Sequence, residues 1–411
     1  MYVVLTKPED YKSVLSNTNG NYKSSATILW QSLLGDGIIR VSGITHKLRR
    51  KIIEPLFNSK FLSKYVTYFD NCSNHCADLL KKEVANGYVD IKPYITRCTI
   101  DTFLVTFAGI EETAQKGDYD DVLHWQKRLF KLTYDRSIRP WLYADKTYSI
   151  TGNAKQMRFG LNILESFIYN ISRKVVERKT LNKDIDIEQR PELVFLEQLF
   201  ENVVDRNDVT DQDFKDDIKN LYLAAQSTMT ELTHFVLLML AMHPEIQDTL
   251  RKEISTLDNE TINSSCLLRM RYLHMVIKET LRLFPIAPLM VRELTGDIKL
   301  ESCTLPDGCY VMVPIYAIHR NPKYWDHPNE FIPERFAPEN SLNHNRDAYL
   351  PFGSGIRSCP GQAYMFLCVG LIVVNLMRRF RFATTANMKD VDITHDILLR
   401  SPNIKLSLSH V

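Results

Sequence analysis

Apolar residues recur at helical spacing through most of residues 45–380, and this periodicity limits the fold more than any other feature. Such a 3.6-residue repeat is typical of helices that bury one face. It predicts helices at Lys47–Leu56, Phe61–Val84, Ile91–Phe107, Asp121–Leu132, Ala154–Arg178, Pro191–Val203, Asp213–Met242 and Leu267–Leu283. Strand-like stretches are few and late, at Ile286–Leu294, Cys309–Val313 and Ile404–Leu408. The sequence therefore predicts a mainly α fold with small β-sheets.

Length and charge narrow the class of protein. The chain has 411 residues, which at roughly 100–200 residues per domain fits two domains or one large one. No internal repeat or glycine/serine linker divides the sequence. Its 51 Lys and Arg nearly balance its 49 Asp and Glu, for a net charge of +2. Because nucleic-acid binders usually carry a strongly basic face, no nucleic-acid partner is expected.

Signals for export or membrane insertion are weak. The first residues, Met1–Pro8, lack the basic stretch, apolar core and cleavage site of a signal peptide. The strongest apolar runs, Phe235–Met242 and Ala363–Val374, fall short of the roughly 20 residues that cross a bilayer. As written, the chain is not expected to span a membrane. Its cysteines form no paired C-x-x-C motif, so a four-thiolate metal site is not expected either.

An acidic cluster precedes and enters the predicted helix Asp213–Met242. A cation site is one interpretation of so many carboxylates. The other is a solvated connector into a helix whose N-terminus favours negative charge, and we prefer this second interpretation. The residues concerned are Asp205, Asp208, Asp211, Asp213, Asp216 and Asp217.

Three of the 15 glycines surround one cysteine in Pro351–Gly361, directly before an apolar helical run, Ala363–Met377. Glycines here let the backbone adopt positive φ and approach a ligand closely. Pro360 suits the first turn of the helix, so Cys359 is expected at the helix N-terminus, where the dipole stabilises a thiolate. Arg357 can pair with an anionic group on the same side. A lone cysteine is often an inert core residue, but this pattern predicts a thiolate that binds a metal or attacks a substrate.

These residues resemble the signature of a known family. Phe352-x-x-Gly355-x-Arg357-x-Cys359-x-Gly361 is similar to the haem-binding signature of the cytochromes P-450. Other landmarks of that family follow its order along nearly the whole chain. They are the E-x-x-R motif Glu279-Thr-Leu-Arg282, the segment His319-Arg-Asn-Pro322, and Phe331-Ile-Pro-Glu-Arg335-Phe.

Within the family, the fatty-acid-hydroxylase clan, with its many insect members, is the most similar. The resemblance rests on Leu33-Leu-Gly-Asp-Gly37, Pro93-Tyr-Ile-x-Arg-Cys98 and Ile138-Arg-Pro-Trp-Leu142. It implies the P-450 fold, a single large catalytic domain over residues 1–411 with a small β-rich lobe. Microsomal members begin with a membrane helix and further elements before the region resembling Val3–Leu15. The chain is therefore expected to lack that anchor and those first elements.

The resemblance also implies a haem whose iron is held by the Cys359 thiolate, which donates electron density that favours O–O cleavage. The other cofactor-binding positions that it implies are Phe352, Arg357, Arg292, His46 and Arg50. His46 stands where the family has Trp, and an imidazole can still donate to a haem propionate. The neighbouring Arg49 and Lys51 are expected on a basic helix surface, where they would help to dock an electron donor.

The E-x-x-R motif implies structural support rather than catalysis. Glu279, Arg282 and Arg335 are charged residues in apolar surroundings. Buried charges must pair, and breaking such a pair costs several kcal/mol. These three residues are therefore expected to form an ion-pair cluster beneath the haem.

The helix Asp213–Met242 bears the residues expected to handle oxygen. The family pattern A/E-G-x-D/E-T-T is matched by Ala224-Ala-Gln-Ser-Thr-Met229, so Thr228 stands at the first Thr and Ser227 at the acid. Because hydroxyls both donate and accept hydrogen bonds, the sequence predicts a proton relay through these two side chains and water, and this relay contains no titratable group. The alternative is that they bond back to their own helix carbonyls. Ala224 replaces a Glu that links covalently to haem in some clan members, so noncovalent haem is expected.

The function implied is a haem-thiolate monooxygenase that inserts one oxygen atom from O₂ into a lipophilic substrate, with electrons from NADPH. The partners implied are NADPH–cytochrome P-450 reductase and cytochrome b5, at the cytoplasmic face of the endoplasmic reticulum membrane. Two alternatives stay open: a haem-thiolate isomerase or dehydratase, and a non-catalytic haem-binding protein. The pocket walls implied are Ser24–Ile39, Phe130–Trp141, Tyr222–Thr228 and Phe284–Val291.

Overall fold

The structure, a computed structural model, describes residues 1–110, 114–182, 194–203, 209–257, 262, 264–340 and 345–411. It divides into two units. Unit 1 comprises Met1–Ser25, Ser73–Ile95 and Thr228–Val411, and unit 2 comprises Ala26–Cys72 and Thr96–Ser227. Helices dominate and the sheets are small, which confirms the predicted fold class. The prediction of a single catalytic domain over residues 1–411 stays a prediction.

The helices follow the apolar periodicity closely, with ends that differ by a few residues; residues 191–193, at the start of the predicted helix Pro191–Val203, lie outside the described residues. In chain order they are α1 (Pro8–Ser16), α2 (Gln31–Leu34), α3 (Gly43–Ile53), α4 (Ser59–Leu62), α5 (Val66–Leu80), α6 (Lys92–Phe103), α7 (Asp120–Ser137), α8 (Asp145–Ser149), α9 (Gly152–Asn182), α10 (Phe195–Val203), α11 (Asp211–Met242), α12 (Pro244–Ser255), α13 (Ser264–Arg269), α14 (Arg271–Leu283), α15 (Ile315–Ile318) and α16 (Gln362–Arg379).

Two predicted helices are divided: Phe61–Val84 by the 3₁₀ turn Ser63–Tyr65, which separates α4 from α5, and Leu267–Leu283 at Met270. The apolar run Leu267–Leu283 was expected to be continuous, but Met270 has φ −77° and ψ 79°, outside the helical region, and separates α13 from α14. The Met270 N–H donates to the carbonyl of Leu267, three residues back, which closes the turn. Its side chain is buried, so burial of Met270 offsets the interruption. Periodicity alone does not show such a break, because the apolar spacing continues across it.

Every strand in the described part of the chain belongs to unit 1. They are β1 (Tyr2–Val4), β2 (Tyr88–Val89), β3 (Met290–Glu293), β4 (Ile298–Lys299), β5 (Thr304–Leu305), β6 (Tyr310–Val313), β7 (Phe380–Ala383), β8 (Thr394–His395), β9 (Leu399–Arg400) and β10 (Leu406–His410). Two sheets have three strands, in the orders β1-β6-β3 and β2-β10-β7, and β4-β5 and β8-β9 form separate pairs. The three predicted strands are present as β3, β6 and β10, shorter or shifted. The other seven were not predicted, because two to four residues give too little alternation to detect.

The first sheet packs on the N-terminal helix α1. Its β1 runs parallel to β6, with Val3 opposite Val311, and β3 runs antiparallel on the other side of β6. One apolar cluster joins this sheet to α1 through Tyr11, Val14 and Leu15. These contacts bring the end of α1 close to the cysteine-containing segment described below.

Helix α16 follows that segment and is mostly buried. By length and composition it is the one helix among the described residues that could cross a membrane, and 67% of it is buried inside the protein. A buried core helix of a soluble protein meets the same criterion.

The interpretation of the acidic cluster as solvated is wrong for two of its members. Asp216 and Asp217 are buried, while Asp211 is exposed. Burial is tolerated because backbone N–H groups of residues 36 and 38 donate to these two carboxylates, and Asp217 also pairs with Arg49. Asp205 and Asp208 lie outside the described residues.

The expectation that Arg49 lies on a basic surface is also wrong. Arg49 of α3 is 3% exposed. Its guanidinium pairs with Asp217 and, at 2.6 Å, with Asp213. A buried guanidinium needs such partners, because an uncompensated charge would cost several kcal/mol. Lys51, by contrast, is exposed as expected.

Candidate functional site

The segment that contains Cys359 is a tight loop before α16. The Cys359 thiol is exposed, and the Cys359 backbone N–H donates to the carbonyl of Phe352 at 2.8 Å. Gly353 and Gly355 have φ of +71° and +69°, as the glycine-rich pattern predicted. The helix begins later than expected: Gln362 is its first residue, so Pro360 lies outside the first turn. Cys359 therefore precedes the helix by three residues.

The backbone of α1 lies directly against this loop. A β-carbon at residue 355 would overlap the carbonyl oxygen of Leu15. At residue 353, a β-carbon would lie 3.2 Å from Met290 Sδ in β3. Glycine is therefore needed at 355 for close approach as well as for backbone conformation. The cysteine loop is thus held between α1 and the first sheet.

Three cationic side chains meet beside the loop. Arg357 donates from Nε to the backbone carbonyl and the side-chain oxygen of Asn21, both at 3.0 Å. Arg292 is buried, and its guanidinium donates to the carbonyl of Val291 at 2.9 Å. Desolvation, together with the charges of Arg292 and Arg357, lowers the pKa of the Lys23 ammonium well below its usual value. Mutual repulsion of this kind indicates a place for an anion.

Arg292 indicates an anion-binding site more clearly than Lys23 does. No carboxylate pairs with it in the described part of the chain, and burial lowers its pKa to about 10. An isolated buried guanidinium is costly, so an anionic group that is not part of the polypeptide would stabilise it. The sequence predicted Arg292 and Arg357 at this site but missed Lys23, because a single lysine in a loop belongs to no motif.

Two apolar side chains are exposed, one on the cysteine loop and one on the residue next to Met290, whose sulfur lies against Gly353. Ile356, three residues before Cys359, is 37% exposed, and Leu289, the residue before β3, is 43% exposed. Phe352 is half-buried, with its ring centroid 6.1 Å from that of Phe366 in α16. Exposed apolar groups beside an exposed thiol fit a flat apolar ligand on this surface.

The E-x-x-R residues form the predicted ion-pair cluster. Glu279 and Arg282 are fully buried, and their side chains make two hydrogen bonds, at 2.7 and 2.8 Å. Arg335 Nε reaches Glu279 Oε1 at 3.3 Å. The remaining Arg282 donors bind the backbone carbonyls of His319, Pro328 and Glu330. Every charge in the cluster therefore has partners, which is what burial requires.

His319 connects this cluster to the cysteine loop. The backbone N–H of Leu350 donates to His319 Nε2 at 2.8 Å, so that nitrogen carries no proton. The other nitrogen, Nδ1, lies 3.1 Å from the carbonyl of Arg282 and is therefore the donor. Burial lowers the pKa of His319 to about 3. The neutral ring thus joins Arg282 to a residue two positions before Phe352.

The middle of α11 has two different faces. Thr228 and Ala225 are half-buried and Ala224 is exposed, within a helix that is otherwise largely buried. Ser227 is buried, and its hydroxyl accepts a hydrogen bond from the side-chain amide of Gln126 in α7 at 2.6 Å. The same amide donates to Gln226 at 2.7 Å. Sequence reasoning missed Gln126, since nothing in the sequence pairs residues a hundred positions apart.

The remaining predicted positions lie on α3 in unit 2. His46 is buried and Arg50 is half-buried one turn later. Arg50 Nε pairs with Glu54 Oε2 at 3.0 Å. Their predicted role in cofactor binding stays a prediction.

Comparison with known proteins agrees with this geometry. The sequence profile of the cytochrome P450 family matches residues 1–408. The chain belongs to that family. It is 30% identical over 398 residues to cytochrome P450 4c21 of Blattella germanica, an alignment that covers 95% of this chain and 79% of the relative. Cytochrome P450 4V2 of Mus musculus is 28% identical, with 99% and 80% covered, and cytochrome P450 4c3 of Drosophila melanogaster is 26% identical, with 97% and 78% covered.

Membership in the cytochrome P450 family makes the chain a monooxygenase that uses haem with a cysteine thiolate ligand. The residues present fit that group. The site offers an exposed thiol, accessible apolar side chains and a buried arginine without a carboxylate partner among the described residues. In haem, the iron would bind the thiol, the ring would contact the apolar side chains, and the propionate carboxylates would pair with the arginine.

Proposed function

We propose that this chain is a haem-thiolate monooxygenase that takes electrons from NADPH through a reductase and oxidises a lipophilic substrate, with Cys359 as the iron ligand. The observation that carries the proposal is the exposed Cys359 thiol in a glycine loop beside a cluster of three cations. Thiolate-ligated haem, when bound, supplies activation of O₂ and transfer of one oxygen atom.

The cations bind the carboxylates of the cofactor in this proposal. Arg292 and Arg357 donate charge-assisted hydrogen bonds to the propionates, and Lys23 adds a third positive charge. His46 and Arg50 contribute on the basis of the family pattern, and Phe352 packs against the ring. The haem is noncovalent, because Ala224 offers no carboxylate for an ester bond.

Thr228 and Ser227 supply the hydroxyls for proton delivery. Thr228 is the better placed of the two, because it is half-buried whereas Ser227 is buried. The Ser227 hydroxyl is engaged by two side-chain amides, at 2.6 Å from Gln126 and 3.4 Å from Gln226. We therefore assign proton transfer at the reacting oxygen to Thr228 and a supporting role to Ser227.

The reductase, cytochrome b5 and attachment to the endoplasmic reticulum membrane rest on the family resemblance. The lipophilic substrate is supported by the exposed apolar side chains of Ile356, on the cysteine loop, and Leu289, before β3. A second candidate function is a haem-thiolate isomerase or dehydratase that needs no reductase. The observation that favours it is the absence of an acid at position 227.

One experiment separates the two. The haem-loaded protein is incubated with a lipophilic substrate panel under ¹⁸O₂, with and without NADPH and reductase. The proposal predicts a product with one ¹⁸O atom only when both are present. Rearrangement of an organic hydroperoxide without reductase, and no ¹⁸O product with it, would favour the isomerase. If neither activity is observed, the chain would be a non-catalytic haem-binding protein.

A further inference from the structure

The sequence contains the dipeptide Asn-Gly twice, as Asn19-Gly20 and Asn86-Gly87. In such a pair the glycine nitrogen can attack the side-chain carbonyl carbon of the asparagine, because glycine has no β-carbon to obstruct the approach. The attack closes a five-membered succinimide ring and releases ammonia. It requires a free glycine N–H and local movement of both residues, so the fold decides whether a given pair reacts.

Asn86-Gly87 meets these requirements. Both residues are exposed, in the connection between the 3₁₀ turn Lys81–Glu83 and β2. Within the described part of the chain, no hydrogen bond engages the Gly87 N–H, and the Asn86 side chain makes one, from Nδ2 to Glu83 Oε2 at 2.8 Å. Gly87 has φ +70°, and a β-carbon there would meet nothing within 4 Å. Exposed turns of this kind open at a small cost in free energy, so the attacking nitrogen can reach the side chain.

Asn19-Gly20 does not meet them. Gly20 is buried, and its N–H donates to the carbonyl of Asn17 at 3.1 Å. The carbonyl of Asn19 accepts from the N–H of Thr295 at 3.1 Å. The Asn19 side chain lies against Gly296, where a β-carbon would be 2.6 Å from the amide nitrogen. The nucleophile is therefore engaged, and the asparagine is fixed on both its main chain and its side chain.

We propose that Asn86 is a site of spontaneous deamidation and that the fold protects Asn19 from the same reaction. The Gly87 nitrogen loses its proton and bonds to Cγ of Asn86, the bond from Cγ to Nδ2 breaks, and the side-chain nitrogen leaves as ammonia with that proton. Water then opens the ring. Cleavage between Cγ and the Gly87 nitrogen gives aspartate, whereas cleavage between the main-chain carbonyl carbon and that nitrogen gives isoaspartate. Water is the one co-reactant consumed.

The reaction places a new negative charge beside an existing one. Glu83 Oε1 accepts from the Tyr94 hydroxyl at 2.5 Å, while Glu83 Oε2 accepts from Asn86. These hydrogen bonds hold the pKa of Glu83 below its usual value, the one from Tyr94 more than the one from Asn86. A carboxylate at position 86 replaces a donor with a like charge, so the pKa of Glu83 rises and the turn before β2 is weakened.

The test follows both asparagines in one sample. The full-length protein is incubated near neutral pH, folded and in concentrated urea, and sampled over time. Peptide mass spectrometry against synthetic reference peptides measures aspartate and isoaspartate at positions 19 and 86. Gly87→Ala obstructs the attack with a methyl group. Its matched control is Gly308→Ala, because Gly308 is also exposed, has φ +70° and has nothing within 4 Å of its β-carbon position.

In the folded wild type, deamidation at position 86 is expected to be at least about tenfold faster than at position 19, which corresponds to roughly 1.4 kcal/mol in activation free energy. In urea the two rates should converge, because unfolding frees the Gly20 N–H. Gly87→Ala should slow the reaction at position 86 about tenfold in both states, by a similar difference in activation free energy, and Gly308→Ala should leave it unchanged.

Three results would overturn the proposal. Equal rates at the two positions in the folded protein would contradict protection of Asn19. A reaction at position 86 that proceeds in urea but not in the folded protein would contradict access to Asn86. Aspartate without isoaspartate, or an unchanged rate in Gly87→Ala, would contradict attack by the Gly87 nitrogen.

Discussion

Gly355 is the residue at which the cysteine loop tolerates least change. Its φ of +69° lies in the left-handed region, and a β-carbon there would overlap the backbone of Leu15. The backbone cannot yield as a flexible side chain would, so either α1 or the loop must move. Position 355 therefore controls where the Cys359 thiol lies.

Gly355→Ala is expected to destabilise the fold and to lower haem incorporation. Gly308→Ala is the matched control, because Gly308 has φ +70° but open space around it. The left-handed conformation alone costs an alanine about 1 kcal/mol, so the control should lose about that much. The loss in Gly355→Ala should exceed it by several-fold in urea unfolding. Equal losses in the two variants would contradict the steric argument.

At the scale of elements, α11 shows what the sequence predicts and what it does not. Its apolar repeat predicted a helix over Asp213–Met242, within two residues of the observed Asp211–Met242. The polar contacts of its surface escaped prediction. Nothing in the sequence distinguishes Asp216 and Asp217 from exposed aspartates. They are buried because residues 36–38 lie against the helix and donate backbone N–H groups to their carboxylates.

The candidate site likewise contains residues that the sequence predicts and residues that it does not. Cys359, Arg357 and the E-x-x-R residues belong to short patterns, because local turn and helix geometry requires them at fixed spacing. Lys23 and Gln126 act through contacts with residues more than a hundred positions away, which no local pattern encodes. The division of Leu267–Leu283 at Met270 was missed for a related reason, since apolar spacing continues through the break.

Thr228→Ala and Ser227→Ala are expected to differ in the amount of product that they form for each NADPH consumed. Loss of the Thr228 hydroxyl removes the proposed proton donor, so the ratio of product formed to NADPH consumed should fall at least about tenfold, since a positioned proton donor contributes roughly 10²–10⁴-fold. Ser227→Ala should retain most of that ratio, because amides already occupy its hydroxyl. The measurement is NADPH oxidation and product formation in parallel. A larger loss in Ser227→Ala would reverse the assignment.

For the whole molecule, buried histidines make stability depend on pH. His234 of α11 is fully buried, and neither ring nitrogen has a hydrogen-bond partner among the described residues. Burial, reinforced by the charge of Lys92 and opposed by Glu231 and Asp90, lowers its pKa to about 4. The unfolded chain binds a proton near pH 6.5, so the free energy of unfolding falls as pH decreases from there toward 4.

His234→Leu is expected to reduce this dependence. In the wild type His234 accounts for up to about 3 kcal/mol of lost stability by pH 4, and His319 adds to the loss. The variant should be at least as stable as wild type at pH 7, because it removes an unsatisfied polar ring, and should lose less on acidification. Urea unfolding at several pH values measures both. His124→Leu, at an exposed position, should keep the wild-type dependence; the same dependence in His234→Leu would contradict the argument.

The central claim is that Cys359 provides the thiolate that holds the haem iron. It is tested most directly by the absorption spectrum of the reduced protein with carbon monoxide, measured for wild type, Cys359→Ala and Cys303→Ala, the last at another exposed cysteine. We expect the red-shifted Soret band of thiolate-ligated haem in wild type and Cys303→Ala, and its absence in Cys359→Ala. The same red-shifted band in haem-loaded Cys359→Ala would contradict the account.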